Sequence, residues 1–186
     1  MAIEKLKRKL YLNGDIDWNS CTNIIEKIQS IEASDNATTK LLKEEYNVNY
    51  IPEPITLNIN SVGGCCYPAF GLYDIIKTCK TQVNTCNIGF TASAAILIYL
   101  AGKERYTTSK SKFVIHQASS MVFGTVKAIE EDLVEAKEVN DLSFSIIKER
   151  TNITKKQLNE IYKQKKDWYI SGKQSISLGI STKLIE

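Results

Sequence analysis

Apolar residues change spacing repeatedly along the chain, from the alternation of strands to the three-and-four spacing of helices, and most changes fall at glycines. Lys9 to Leu12 reads as a first strand, and Asn13-Gly14-Asp15 predicts its end. A helical face follows through Cys21, Ile24, Ile25, Ile28 and Ile31. Residues 33–54 are rich in Asn, Lys and Glu and close on Pro52-Glu53-Pro54, the composition of a surface insertion with one short helical piece around Leu41 to Tyr46. Ile55-Thr56-Leu57-Asn58-Ile59 alternates as a strand does and runs into a glycine turn at Ser61-Val62-Gly63-Gly64. Ala69, Leu72, Tyr73 and Ile76 then mark a helix, and Cys86 to Ile88 a short strand that meets Gly89.

Ser93 to Leu100 is almost wholly apolar and closes on Gly102, which predicts a buried helix whose first residue is the serine. Arg105 to Thr107 and Lys112 to Ile115 read as two strands, the second ending at His116. From Thr125 to Arg150 a long amphipathic pattern runs through Ile129, Leu133, Ala136, Leu142 and Ile146, longer than so small a domain needs for itself. Capping boxes at Thr154 with Gln157 and Ser171 with Gln174 open two short helices, with Gly179 as a stop and Asp167 between them. This alternation implies an α/β domain with several parallel strands, whose functional groups gather where strands end and helices begin.

Composition narrows the function classes. With 186 residues and 43% hydrophobic content, one domain over residues 1–186 is expected. No apolar run approaches a membrane span, and the charges in MAIEKLKRKLYL oppose an export signal, so a cytoplasmic protein is expected, or one in a host cytoplasm if a virus carries it. Five cysteines lack the CxxC spacing, and a zinc site would want more than one histidine. Buried reduced thiols are the expectation, with no metal and no cofactor. The net charge of +3 comes from lysines scattered along the chain, which excludes a nucleic-acid surface.

A hydroxyl nucleophile needs a neighbouring base, the base an orienting group, and the developing oxyanion fixed backbone donors. His116 is the only histidine, so a serine–histidine mechanism here has one possible base. Each piece also has a plain structural reading: a lone histidine at a strand end, a small serine in close helix packing, a tight turn at Gly63-Gly64, and a surface Asp167 beside Lys165 and Lys166. Thr91-Ala92-Ser93-Ala94-Ala95 is not the GxSxG elbow of α/β-hydrolases.

Together, Asn60-Ser61-Val62-Gly63-Gly64, Gly89-Phe90-Thr91-Ala92-Ser93, Ile115-His116-Gln117 and Lys166-Asp167-Trp168-Tyr169-Ile170-Ser171 resemble the Clp protease proteolytic subunit family over residues 9–186. That family's segments read Asn-Ser-Pro-Gly-Gly, Gly-x-Ala-Ala-Ser, Ile-His-Gln-Pro and Arg-Asp-x-Phe-x-Ser. The resemblance implies a serine peptidase with Ser93 as nucleophile, His116 as general base and then acid, and Asp167 as the orienting carboxylate. It implies an oxyanion hole from the amides of Gly63 and Ala94. Extended polypeptide would be bound by Gly64, Cys65 and Cys66 on one side and Ala118, Ser119 and Ser120 on the other.

The implied fold is the spiral of β-strand and helix repeats shared with the crotonase enzymes, with residues 125–150 as a handle helix. Two stacked heptameric rings of identical subunits would meet through that handle, enclose a proteolytic chamber, and receive folded substrates from an AAA+ unfoldase. Only about eight residues precede the first strand, a short segment for docking such a partner. Val62 and Ala118 stand where the family has proline, loosening the substrate-flanking turns, while Ala94 and Ala95 replace methionine and glycine without removing a backbone donor. Two competing readings are a noncatalytic ring subunit and a crotonase-type acyl-CoA enzyme; the latter lacks carboxylates at the matching positions.

Overall fold

A computed structural model describes residues 7–186. Its elements run β1 (Lys9–Ile16), α1 (Trp18–Tyr46), β2 (Ile55–Gly64), α2 (Cys66–Thr78), β3 (Val83–Ala92), α3 (Ala94–Ala101), β4 (Arg105–Thr108), β5 (Lys112–Ile115), α4 (Val126–Arg150), α5 (Lys155–Gln164), β6 (Trp168–Ser171), α6 (Gly172–Ser177) and β7 (Lys183–Ile185). This is the expected α/β architecture of helices around a largely parallel sheet. Residues 1–6, on which the reading of an export signal partly rests, lie outside the described residues.

The sheet runs β1-β2-β3-β4-β7 with every pair on that path parallel. It forks at β3. The first half of β3 pairs with β4 through Thr85, Cys86 and Asn87, and its last residues, Phe90 to Ala92, pair with β5. β6 then joins β5 antiparallel, from Lys112 opposite Ser171 to Ile115 opposite Trp168. The fork carries the ends of β3 and β5 to one place, where Ser93 and His116 follow them.

Every residue of α3 is buried, so this helix is the hydrophobic centre on which the sheet packs. Tyr99 meets Phe113 of β5 edge to face, with ring centroids 5.0 Å apart. Its hydroxyl shares a 2.7 Å hydrogen bond with Ser181, which leaves no polar group of that ring stranded. Both expected capping boxes form, at Thr154 and Ser171.

Five readings of the sequence change. The strand expected at Cys86 to Ile88 runs from Val83 to Ala92, through Gly89 rather than up to it. The buried helix opens at Ala94, so Ser93 precedes it rather than being its first residue. Asn13-Gly14-Asp15 is a bulge within β1 rather than its end: Gly14 takes φ +79°, the register shifts between Asn13 and Asp15, and Ile16 returns to the core at 1% exposure. The Gly63-Gly64 segment is strand rather than turn, with Gly63 paired to Asp15 and Gly64 to Ile16. Residues 33–54, expected as an insertion with a short helical piece, are mainly the continuation of α1, which ends on Asn47 in the left-handed region. Asp35 lies in that continuation. Its carboxylate is buried and accepts hydrogen bonds from both terminal nitrogens of Arg8 and from the Thr81 hydroxyl, tying α1 to the start of β1 and to the turn before β3.

Candidate active site

Ser93 occupies the single-residue joint between β3 and α3. At φ 55° and ψ −130° it holds a backbone conformation that residues with a side chain rarely adopt. Two bonds fix it there: its amide donates to the Val114 carbonyl at 3.0 Å, and its carbonyl accepts from the Ile96 amide at 3.0 Å. The buried α3 anchors one side of the joint and the β3–β5 pairing the other. At this joint Ser93 is half-buried and lines two adjoining cavities.

The end of β2 presses against this joint. Gly63 has φ +99°, and a Cβ there would lie 2.5 Å from the Ser93 Cβ, 2.7 Å from the Ala92 carbonyl oxygen and 3.2 Å from the Ala94 nitrogen. Only glycine fits. Ala94 is the first residue of α3, where helix geometry leaves the amide without an intrahelical acceptor. Gly63 and Ala94 thus bring two backbone amides to the serine, and the Gly63 N–H donates to the Ser61 hydroxyl at 3.0 Å.

His116 is half-buried just beyond β5 and lines, with Ser93 and Ala94, a narrow cavity of about 30 Å³. Asp167 lies immediately before β6 and is exposed. The antiparallel β5–β6 ladder ends with Ile115 paired to Trp168, so His116 and Asp167 each lie one residue beyond the same end of that ladder. No hydrogen bond joins the Ser93, His116 and Asp167 side chains to one another among the described residues. Ser93 and His116 share a cavity that Asp167 does not line.

A larger cleft of about 230 Å³ opens from Ser93. Gly64, Cys65, Cys66, Ala118, Ser119 and Ser120 all line it, so the two segments expected to flank a polypeptide do face one space. Sequence reasoning missed what α4 and α2 contribute. Asp132 and Glu135 line the same cleft; Asp132 accepts from the Ser120 hydroxyl at 2.8 Å, and Glu135 accepts from the Tyr67 hydroxyl. That hydrogen bond raises the Tyr67 phenol to about 12. Asn140, 5% exposed, accepts from the Ala118 amide at 3.2 Å and so ties the 118–120 segment to α4. A polar residue on the apolar side of a long helix was the available signal for Asn140.

The five cysteines are free thiols, and burial pushes the Cys66 thiol up. No group of three or more metal-ligating side chains occurs among the described residues, and no helix among them is long and apolar enough to cross a membrane.

The family model described as Clp protease matches residues 2–186. The chain is 31% identical over 182 residues to the ATP-dependent Clp protease proteolytic subunit 2 of Treponema denticola, covering 95% of this chain and 81% of that one. It is 24% identical over 182 residues to the subunit of the same name from Treponema pallidum, covering 96% and 82%. Among solved structures, an asparagine-to-aspartate mutant of ClpP1 from Listeria monocytogenes superposes with a TM-score of 0.77 at 25% identity, over 96% of this chain and 91% of that one.

Proposed function

The chain belongs to the Clp protease family of peptidases, and from that premise we propose that it is a serine endopeptidase acting on extended polypeptides, with Ser93, His116 and Asp167 as its triad. The observation that carries this reading is the strained Ser93 joint, with the Gly63 backbone pressed against it and the free Ala94 amide beside it.

In this reading the substrate lies extended in the cleft between residues 64–66 and 118–120, held by backbone hydrogen bonds as an added strand. Ser93 Oγ attacks the scissile carbonyl while His116 takes its proton. The oxyanion of the tetrahedral intermediate receives the Gly63 and Ala94 N–H groups, each worth about 3 kcal/mol of transition-state stabilisation. His116 returns the proton to the leaving amine, and water then hydrolyses the acyl-enzyme by the same route in reverse. Asp167 holds the imidazole with its donor nitrogen toward the carboxylate and stabilises the imidazolium. No cofactor takes part.

Assembly into a closed chamber of stacked rings is part of the proposal. On the 25-residue α4, Ile129, Leu133 and Leu142 are about half exposed while Ile146 is buried, so the apolar stripe runs past the edge of its own subunit. Packing α4 against a neighbour would also bear on the 118–120 segment through the Ala118–Asn140 hydrogen bond, two residues from His116. Small peptides would enter such a chamber unaided, and folded proteins would need an AAA+ unfoldase.

The test is hydrolysis of a fluorogenic peptide by the assembled protein. Wild type cleaves it and Ser93→Ala does not. Equal rates for the two would refute the reading. An assembled wild type inert toward peptides would favour the noncatalytic ring subunit, the alternative supported by the missing hydrogen bonds between the triad side chains.

A further inference from the structure

The Gly63 amide, assigned above to the oxyanion hole, already has an acceptor: it donates to Ser61 Oγ at 3.0 Å in a buried setting. Ser61 is 2% exposed, so no bulk water competes for that bond. Directly across the β2–β3 ladder from Ser61 stands Thr91, fully buried. Its hydroxyl is the one buried side-chain oxygen or nitrogen among the described residues that lacks a hydrogen-bond partner. An unsatisfied buried hydroxyl is costly, and here its residue is paired across the ladder with a buried serine, the two backbones one strand spacing apart.

We propose that Ser61 and Thr91 are positioning residues that switch the Gly63 amide between a held and a working state. In the held state, which this structure presents, Ser61 Oγ accepts the Gly63 N–H and Thr91 Oγ1 has no partner. In the working state the Ser61 side chain turns about its single carbon–carbon torsion to another staggered position and hydrogen-bonds Thr91 Oγ1. The Gly63 N–H is then free for the oxyanion forming on the substrate carbonyl. One hydrogen bond is exchanged for another, so the two states are close in free energy, and the charge-assisted bond to an oxyanion tips the balance toward the working state. The proposal rests on the reading of Ser93 as nucleophile and Gly63 as oxyanion donor.

Thr91→Val removes the partner of the working state and relieves the orphan of the held state. Its kcat for a fluorogenic peptide should fall about fivefold, the worth of one neutral hydrogen bond, with KM and native mass unchanged and the melting temperature no lower. Thr91→Ser keeps a hydroxyl and should retain at least half of the wild-type kcat. Ser61→Ala frees the amide permanently, so adding it to Thr91→Val should restore the lost activity. A purely structural role for Thr91 does not produce that restoration. A wild-type kcat in Thr91→Val, or a double variant no faster than Thr91→Val, overturns the switch while leaving the peptidase reading intact. An assembled wild type that cleaves no peptide overturns the peptidase reading, and the switch with it.

Discussion

Asp35 and Arg8 join two segments that are 27 residues apart, and breaking their pair tests how α1 is held. Asp35→Ala removes a carboxylate that accepts from Arg8 Nη1 at 2.9 Å, from Arg8 Nη2, and from Thr81 Oγ1 at 2.7 Å. Removing one partner of a buried pair costs about 3–5 kcal/mol. The lower end applies here, because Arg8 Nη1 also donates to the Glu53 carbonyl at 2.7 Å and the Arg8 side chain keeps 16% of its surface exposed. About 3 kcal/mol in a chain of this size lowers the melting temperature by about 6–12 °C, read by circular dichroism at neutral pH. The control is Lys40→Ala, which breaks an exposed 4.0 Å pair with Glu44 on the same helix and should cost under about 0.5 kcal/mol.

The same site has a pH signature. Burial pushes the Asp35 carboxyl up, but the hydrogen bonds from Arg8 and Thr81 and the charge of Arg8 outweigh it, so the net shift is below the ordinary value of 3.8. A carboxylate with a depressed folded pKa contributes stability that is complete above its unfolded pKa and is lost as pH falls through the folded one. Wild type should therefore lose stability more steeply than Asp35→Ala from about pH 4 downward, and the two curves should converge in acid. Asp35→Ala as stable as Lys40→Ala, or parallel acid limbs, would refute the anchoring role.

Other positions give independent tests. Gly63→Ala places a Cβ 2.5 Å from that of Ser93 at φ +99°, so peptidase activity should fall at least a hundredfold; near-wild-type kcat would contradict the contact. Asp167→Asn should lower kcat by about 10³–10⁴ with little change in KM, and an unaltered kcat would remove Asp167 from the triad. Leu133→Asp puts a charge on the exposed stripe of α4 and should lower the native mass measured by light scattering; an unchanged assembly would place the subunit contact elsewhere.

Long-period features were legible in the sequence, and short or long-range ones were not. The eight apolar residues of α3, the capping boxes at Thr154 and Ser171, and the long amphipathic α4 each carry their own signal over a full turn or more. β6 and β7 were not read from the sequence, and they are strands because β5 and β4 offer them edges. The bulge at Gly14 keeps the pairing that a glycine in sequence suggests breaking. Asp35 misled for another reason: a carboxylate in a polar stretch reads as surface until Arg8 and Thr81 fold against it.

The candidate site divides the same way. Ser93 and His116 sit at element ends that periodicity located, and the segments 64–66 and 118–120 do line one cleft with the serine. Asp167 had no signal in periodicity, only in the resemblance of the segment 166–171, and the β5–β6 ladder ends one residue short of it and of His116. Asp132 and Glu135 were hidden within α4, where their direction depends on how the helix lies over the cleft. The Ser61–Thr91 pair was also out of reach, because cross-strand partners become visible only with a register.

The central claim is that Ser93 is an activated nucleophile, and covalent labelling tests it most directly. The assembled protein is treated with a fluorophosphonate and digested, and the adduct is located by mass spectrometry. The account predicts one adduct per chain, on Ser93, absent from Ser93→Ala and strongly slowed in His116→Ala. An adduct on another residue, or none in an assembly of confirmed native mass, would contradict it.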